Sequence, residues 1–386
     1  MGTGQAPIPS FLRPRFWNVP FRGSMCYIAR SVNRPLPPAR IAMTVASRPT
    51  IRDVAASAGV SKSLVSLVMQ GSASVSEEKR KRVLRVAAEL GYRPNAVARS
   101  LVQRRTNLFG VLLSDLHNPF FAEVIDGVRA AAAEQGYRAI IATGDRAAPS
   151  ETGALETLLE LRTDGLILAS PVLDMEVIIE AARELPTVLV ARRARAAVLD
   201  SVANDDLTGA GLAVQHLAEL GHRRIAHIDG GDGAGSAERR RGYERSMRKL
   251  GLEQHARVVP GNYTDEGGRQ GVGALLAAGP RPTAILAAND LAAIGALSAL
   301  ADRGIRVPEE VSLVGYDNTA LAAVRHINLT TVDQPRPDMG QTAVRLLLER
   351  LRDGRKTARH VLMTPSLVVR RTTAPPDART SLRSRS

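Results

Sequence analysis

From Asn107 onward, short apolar runs alternate with amphipathic stretches of helical length, and few folds accept that alternation. Leu108–Leu113, Ala139–Ala142, Gly165–Ala169, Thr187–Val190, Arg224–Ile228, Ala284–Ala287 and Val311–Val314 read as buried strands. Between them lie helical stretches such as Phe120–Gln135, Leu207–Leu220, Ala237–Leu250, Leu291–Arg303 and Met339–Leu351. Repeated strand–helix units predict parallel sheets with helices on both faces. About 265 residues is large for one such sheet, so two lobes are expected. Ligands of such folds bind at the carboxyl ends of the strands.

Several chemically capable residues sit at those ends. His117-Asn118-Pro119-Phe120-Phe121 follows the first strand and opens a helix. Arg239 lies after the Gly-rich loop Gly230–Gly235, and Tyr263 follows Pro260-Gly261-Asn262. Asn289-Asp290 and Asp317-Asn318 each follow a strand. A planar aromatic among Asp, Asn and Arg is the chemistry of a polyhydroxylated ligand. Each also has a bland role: Phe120 and Phe121 in a core, Asn289 as a helix cap, Arg239 in a surface ion pair.

The 386-residue chain carries a formal net charge of +14, and all of it lies at one end. Residues 1–106 hold 18 Lys+Arg against 4 Asp+Glu, while the rest is balanced. A basic head on a neutral body is the electrostatic footprint of a nucleic-acid binder. Within the head, Thr50-Ile51-Arg52-Asp53 reads as a capped helix start. Ile51, Val54, Ala55 and Ala58 form its buried face, and Gly59 fits the turn that follows. Ser61 caps a second helix on which Leu64, Val65 and Val68 face inward while Lys62, Ser63 and Ser66 stay polar. A helix-turn-helix needs that division. Ser76-Glu77-Glu78 caps a third, basic helix, and Asn95–Leu101 reads as a short further helix with Ala98 and Leu101 on one face.

The remaining features mostly exclude. A single cysteine, Cys26, leaves no intrachain disulfide and fits a reducing cytoplasm. Residues 1–47 are Pro- and Arg-rich without periodicity, read here as a disordered basic extension or an overcalled start. Residues 372–386 read as a flexible tail. No apolar run is long enough to span a bilayer. The Gly-rich loop lacks the Lys-Ser/Thr pair of a phosphate-binding loop, and the seven histidines lack metal-ligand spacing. Neither catalysis, metal nor cofactor is expected.

The run Ile51-Arg52-Asp53-Val54-Ala55…Ala58-Gly59-Val60-Ser61…Val65-Ser66, followed by Glu89-Leu90-Gly91-Tyr92-Arg93-Pro94-Asn95-Ala96-Val97-Ala98-Arg99-Ser100-Leu101, resembles the lactose-repressor/galactose-repressor (LacI/GalR) family. Further along, Gly221-His222-Arg223-Arg224-Ile225, Arg239…Gly242-Tyr243, Ala288-Asn289-Asp290, Gly315-Tyr316-Asp317-Asn318 and Leu329-Thr330-Thr331-Val332…Gln334 are similar to family blocks in order and spacing. The resemblance implies a sequence-specific transcription regulator, a repressor working as a homodimer on a pseudo-palindromic operator in double-stranded DNA. Lys62 and Ser63 would read bases. Leu101 would wedge into the minor groove, a contact that bends DNA by roughly 20–90°. Ser66, Tyr92 and Asn95 would hold phosphates or register, with Thr50, Ser61, Ala98 and Arg99 completing the DNA-binding set. The body would resemble a two-lobed periplasmic sugar-binding protein with crossovers near Asn204, Asp333 and Leu362. Arg239, Asn289 and Asp317 would hydrogen-bond a small effector, a sugar or related metabolite, and Tyr263 would pack on it. Phe120 and Phe121 would line the opposite lobe, and Gln334 joins the effector set.

The expected layout is an all-α helix-turn-helix domain at 48–92, a hinge helix and linker at 93–106, and an α/β two-lobed effector and dimerisation domain at 107–371. Lobe 1 would hold about 107–203 and 334–361, and lobe 2 about 204–333 and 362–371. Three departures from the family pattern stand out. Leu64 replaces a usual Thr, Leu67 a usual Arg, and Ala191 a usual Asp before Arg192. The body alone would also suit a solute-binding protein for transport, and the loss at Ala191 would suit a DNA binder with a vestigial pocket.

Overall fold

A computed structural model describes residues 49–93 and 105–377. The expected extension, most of the hinge (Asn95, Ala98, Arg99 and Leu101 included) and residues 378–386 lie outside the described residues. The rest forms two compact units, a head ending at Arg93 and a body.

The head is three helices: α1 (Ile51–Ala58), α2 (Lys62–Met69) and α3 (Glu77–Glu89). α1 starts where the Asp53 carboxylate accepts from the Thr50 backbone N–H (2.7 Å) and hydroxyl (2.8 Å). These bonds hold the Asp53 carboxyl below the usual carboxylate range. It ends at Gly59, whose φ of 61° suits a residue without a side chain. Ser61 Oγ accepts from Leu64 N (3.2 Å) and so caps α2. Ser76 takes the cap position of α3, but its hydroxyl makes no capping bond, contrary to the expectation. Val54, Val65, Val68, Val83 and Val86 meet in one small core against which Leu64 and Tyr92 also pack.

The body contains two six-stranded sheets. The first uses β1 (Leu108–Leu113), β2 (Arg138–Thr143), β3 (Gly165–Ala169), β4 (Thr187–Val190), β5 (Asp200–Asn204) and β11 (His360–Met363), in the order β11-β5-β4-β3-β1-β2. The second uses β6 (Ile225–Ile228), β7 (Arg257–Val259), β8 (Ala284–Ala287), β9 (Ser312–Asp317), β10 (Thr330–Asp333) and β12 (Ser366–Val368), in the order β12-β10-β9-β8-β6-β7. All pairings are parallel except β10 with β12. α4 (Pro119–Glu134), α5 (Ala148–Glu160), α6 (Met175–Glu184) and α11 (Arg336–Arg352) belong to lobe 1. α7 (Asp206–Glu219), α8 (Ser236–Lys249), α9 (Asp265–Ala277) and α10 (Asp290–Ala301) belong to lobe 2. Each lobe has separate apolar clusters on the two faces of its sheet.

α4 and α11 touch backbone to backbone. A Cβ on Gly340 would sit 2.2 Å from Val124 O, and one on Gly127 would sit 2.1 Å from Pro337 O. The chain crosses between lobes after β5, after β10 and between β11 and β12. The last crossing thus falls after Met363, just beyond the expected Leu362, because β11 pairs with β5 as far as Met363 and Asn204. The start of the expected flexible tail also needs correction. Thr372 is buried and its Oγ1 donates to Leu313 O (2.7 Å) while accepting from Thr330 N (2.9 Å). Ala374 N donates to Ser312 Oγ (3.0 Å). A polar stretch is ordered here because it satisfies open backbone groups of lobe 2.

Candidate DNA-reading face and ligand cleft

On α2 the buried side belongs to Val65 and Val68, while Lys62, Ser63 and Leu67 are exposed and Ser66 is half-buried. Ser66 Oγ accepts from Gln70 Nε2 (3.2 Å). The two departures near Ser66 part company here: Leu64 is half-buried and packs against the head core, while Leu67 is exposed. Thr50 is exposed at the start of α1. Burial pushes the Tyr92 hydroxyl pKa up, as its ring leans on the core.

The body has a cleft of about 500 Å³ between its lobes. Its walls are the segments that directly follow parallel strands: Ser114-Asp115 after β1, Arg146 after β2, Ser170–Val172 after β3, and Ala191-Arg192 after β4. Facing them are Gly230–Ala234 after β6, Gly261–Tyr263 after β7, Asn289 after β8, and Asp317 closing β9. Phe120, Phe121, Arg239, Tyr263, Asn289, Asp317 and Gln334 all line this one cavity. The sequence reading did not single out Ser114, Asp115, Arg146, Ser170 or Arg192 as site residues. Their position just after a strand is the signal they carry, apart from Arg192, which was marked only as the neighbour of Ala191.

Asn118 caps α4 by accepting from Phe120 N (3.0 Å), and Pro119 suits the first turn. The cap delivers Phe120 and Phe121 edge to face, with ring centroids 5.2 Å apart. On the other wall, Tyr263 donates to Ala234 O (2.9 Å). Its ring fills the space a side chain at Gly230 or Gly233 would need, since a Cβ there would lie 2.6 or 2.3 Å from it. The Gly-rich loop is therefore a seat for an aromatic ring.

Arg239 is buried, 6 % exposed, and held from several sides. Nε donates to Asp206 Oδ1 (3.0 Å) and Nη1 to Ala288 O (2.6 Å). Its guanidinium lies 3.8 Å from the Tyr316 ring centroid and 5.3 Å from that of Tyr263. Asp317 accepts from Gln334 Nε2 (2.5 Å). Burial, which Arg239 only partly offsets, raises the Asp317 carboxyl pKa, with the nearby Asp290 carboxylate adding to the rise. Asn289 does act as a helix cap, with Oδ1 accepting from Ala292 N (2.8 Å) and Nδ2 donating to Tyr263 O (3.2 Å). It lines the cleft as well, so the two readings of this residue coexist.

Where the usual Asp is replaced, Ala191 has a φ of 59°, and Arg192 turns back to donate to Pro171 O (2.8 Å) and Leu173 O (2.7 Å). Buried Glu151 lies near it, accepting from Ser114 Oγ (2.9 Å) and Val172 N (2.8 Å), and burial raises its pKa. At the crossovers, Glu123 of α4 accepts from Ala320 N (3.1 Å) and from Arg336 Nε (2.8 Å). Arg336 in turn reaches Asp333 (3.2 Å).

A helix-turn-helix head with a two-lobed, parallel-sheet body and a cleft at the strand ends defines a DNA-binding regulator with a periplasmic-binding-protein-like body. A family profile described as bacterial regulatory proteins, lacI family, matches residues 50–95, and one for a periplasmic binding protein-like domain matches residues 214–373. The ribose operon repressor of Haemophilus influenzae is 36% identical over 324 residues, spanning 83% of this chain and 97% of that protein. The Lac repressor bound to ONPG in its repressed state superimposes with a TM-score of 0.75 at 31% identity, over 84% of this chain and 99% of that one. A transcriptional regulator CelR–cellobiose complex gives a TM-score of 0.64 at 33% identity, over 84% and 100%. The chain belongs to the LacI family of sequence-specific DNA-binding regulators, which are not enzymes. Among the described residues, no group of His, Cys, Asp or Glu could hold a metal ion, and no helix is long and apolar enough to cross a membrane.

Proposed function

We propose that this protein is a cytoplasmic repressor that binds a pseudo-palindromic operator as a homodimer and answers to a sugar or related metabolite in the body cleft. The observation that carries the reading is the convergence of Phe120, Phe121, Arg239, Tyr263, Asn289, Asp317 and Gln334 on one cavity between two lobes. An aromatic face beside fixed donors and acceptors suits a ring bearing hydroxyls. The relatives fit: one is named a ribose operon repressor, and one is solved with cellobiose. Closing the cleft on ligand would rotate one lobe against the other and change the spacing of two heads.

Such coupling is typically about 1–3 kcal/mol, or roughly 5- to 150-fold in affinity, and it must be reciprocal. Calorimetric titration of the full chain with a panel of sugars, with and without operator DNA, tests it. Operator is expected to weaken binding of an inducer, or strengthen that of a corepressor, by a factor in that range. Equal sugar affinity in both titrations removes the allosteric part of the proposal.

A further inference from the structure

The outward face of α2 carries one apolar side chain among polar ones. Val65 and Val68 are buried, and Leu64 and Met69 pack against the same core. Lys62, Ser63, Ser66, Leu67 and Gln70 remain on the other side. Leu67 is 38% exposed, so the packing of the head leaves a substantial part of its side chain open on that face. Exposure alone decides nothing, since Leu84 and Leu90 are as open or more so, but they belong to α3 and its end. What matters is the helix. Ser63 and Leu67 are four residues apart, one above the other on the same row of α2. Lys62 and Ser63 have no side-chain partner among the described residues, while Ser66 and Gln70 bond one another. A helix whose first turn reads base edges therefore places Leu67 over the adjoining step.

A leucine offers neither donor nor acceptor. Guanine, adenine and cytosine lack a methyl in the major groove, and the acceptors or amino group they present there would lose water under Leu67 without a replacement partner. Thymine alone presents a methyl there, on C5. We infer that Leu67 selects thymine at one position of each operator half-site by packing on that methyl. The inference rests on the chain being a sequence-specific DNA binder and adds which base this residue accepts.

The experiment begins with selection of bound duplexes from random sequence by the full chain. Each thymine of the selected site is then replaced by deoxyuridine, which keeps the hydrogen-bonding edge and lacks the methyl. Affinity is read by fluorescence anisotropy at fixed salt. At one symmetry-related thymine the wild-type chain should lose roughly 4-fold for one half-site and roughly 15-fold for both, as expected for one uncovered carbon at each. Leu67→Ala should bind the thymine and deoxyuridine sites alike. Leu67→Arg should move the preferred base at that position to guanine. The inference is overturned if no methyl removal separates wild type from Leu67→Ala, or if Leu67→Arg selects the same base as wild type. Failure to enrich any sequence would overturn it together with the DNA-binding reading, whereas an enriched site indifferent to methyl loss overturns it alone.

Discussion

At the scale of single residues, several polar groups combine site and scaffold roles, and this limits what can be changed. Arg239 is held by Asp206 and stacked on Tyr316. Its removal strands a buried carboxylate, a loss of roughly 3–5 kcal/mol in comparable pairs, so truncation confounds ligand binding with folding. His227 shows a different burden. Its Nδ1 lies 2.9 Å from Leu286 O, a pure acceptor, so Nδ1 carries the proton; Nε2 is buried without a partner. Burial lowers its pKa to about 4. The unfolded chain binds this proton near pH 6.5, whereas the folded body does so only near pH 4. Stability is therefore retained above pH 6.5 and lost as pH falls toward 4, by roughly 3 kcal/mol for this group. Chemical denaturation across that window should show the loss, and His227→Gln should flatten it. Parallel curves for parent and variant would reject the role. Tyr263, Arg239 and Asp317 were legible because each lies at or beyond the end of an apolar strand, in blocks whose order and spacing resemble the family's. Arg192 was legible only as the neighbour of a missing Asp, because its tether to Pro171 and Leu173 comes from another loop.

At the scale of elements, the strongly apolar strands could be read from the chain, and the strands defined by distant partners could not. β5 is the clear case. Its first residue, Asp200, is fully buried, which the local pattern Asp200-Ser201-Val202-Ala203-Asn204 does not announce. Arg350 and Arg355 from the end of α11 and the loop beyond bond both its oxygens, at 2.7–3.0 Å. Against its burial, these bonds pull the carboxyl down to about 2. β7, β11 and β12 are too short or too polar to declare themselves, and β10 is short with two threonines. The α4–α11 contact gives a prediction at this scale. Gly340→Ala pushes a methyl into the α4 backbone and should cost roughly 1–3 kcal/mol in denaturant unfolding. Gly153→Ala, in α5 with nothing within 4 Å, should add roughly 0.5–1 kcal/mol of stability. Equal effects from the two would show that helix propensity, and not the close approach, sets the outcome.

At the scale of the whole molecule, the proposed hinge makes its own prediction. Leu101→Ala should lower operator affinity strongly while leaving the unfolding transition of the body and its sugar affinity unchanged; unaltered operator affinity would reject the hinge role. The division into basic head and two-lobed body was legible from charge placement and strand–helix alternation. The order of strands was not, because β11 and β12 join opposite sheets within a few residues of one another. That late double return has a consequence for how such a protein can be rebuilt. Each lobe is assembled from separate stretches of chain, so no single splice can exchange one lobe for a relative's. The head is one uninterrupted stretch, with one peptide connection to the rest. Recombination can therefore give this ligand cleft a new DNA address in one event, whereas a new half-cleft needs more than one exchange.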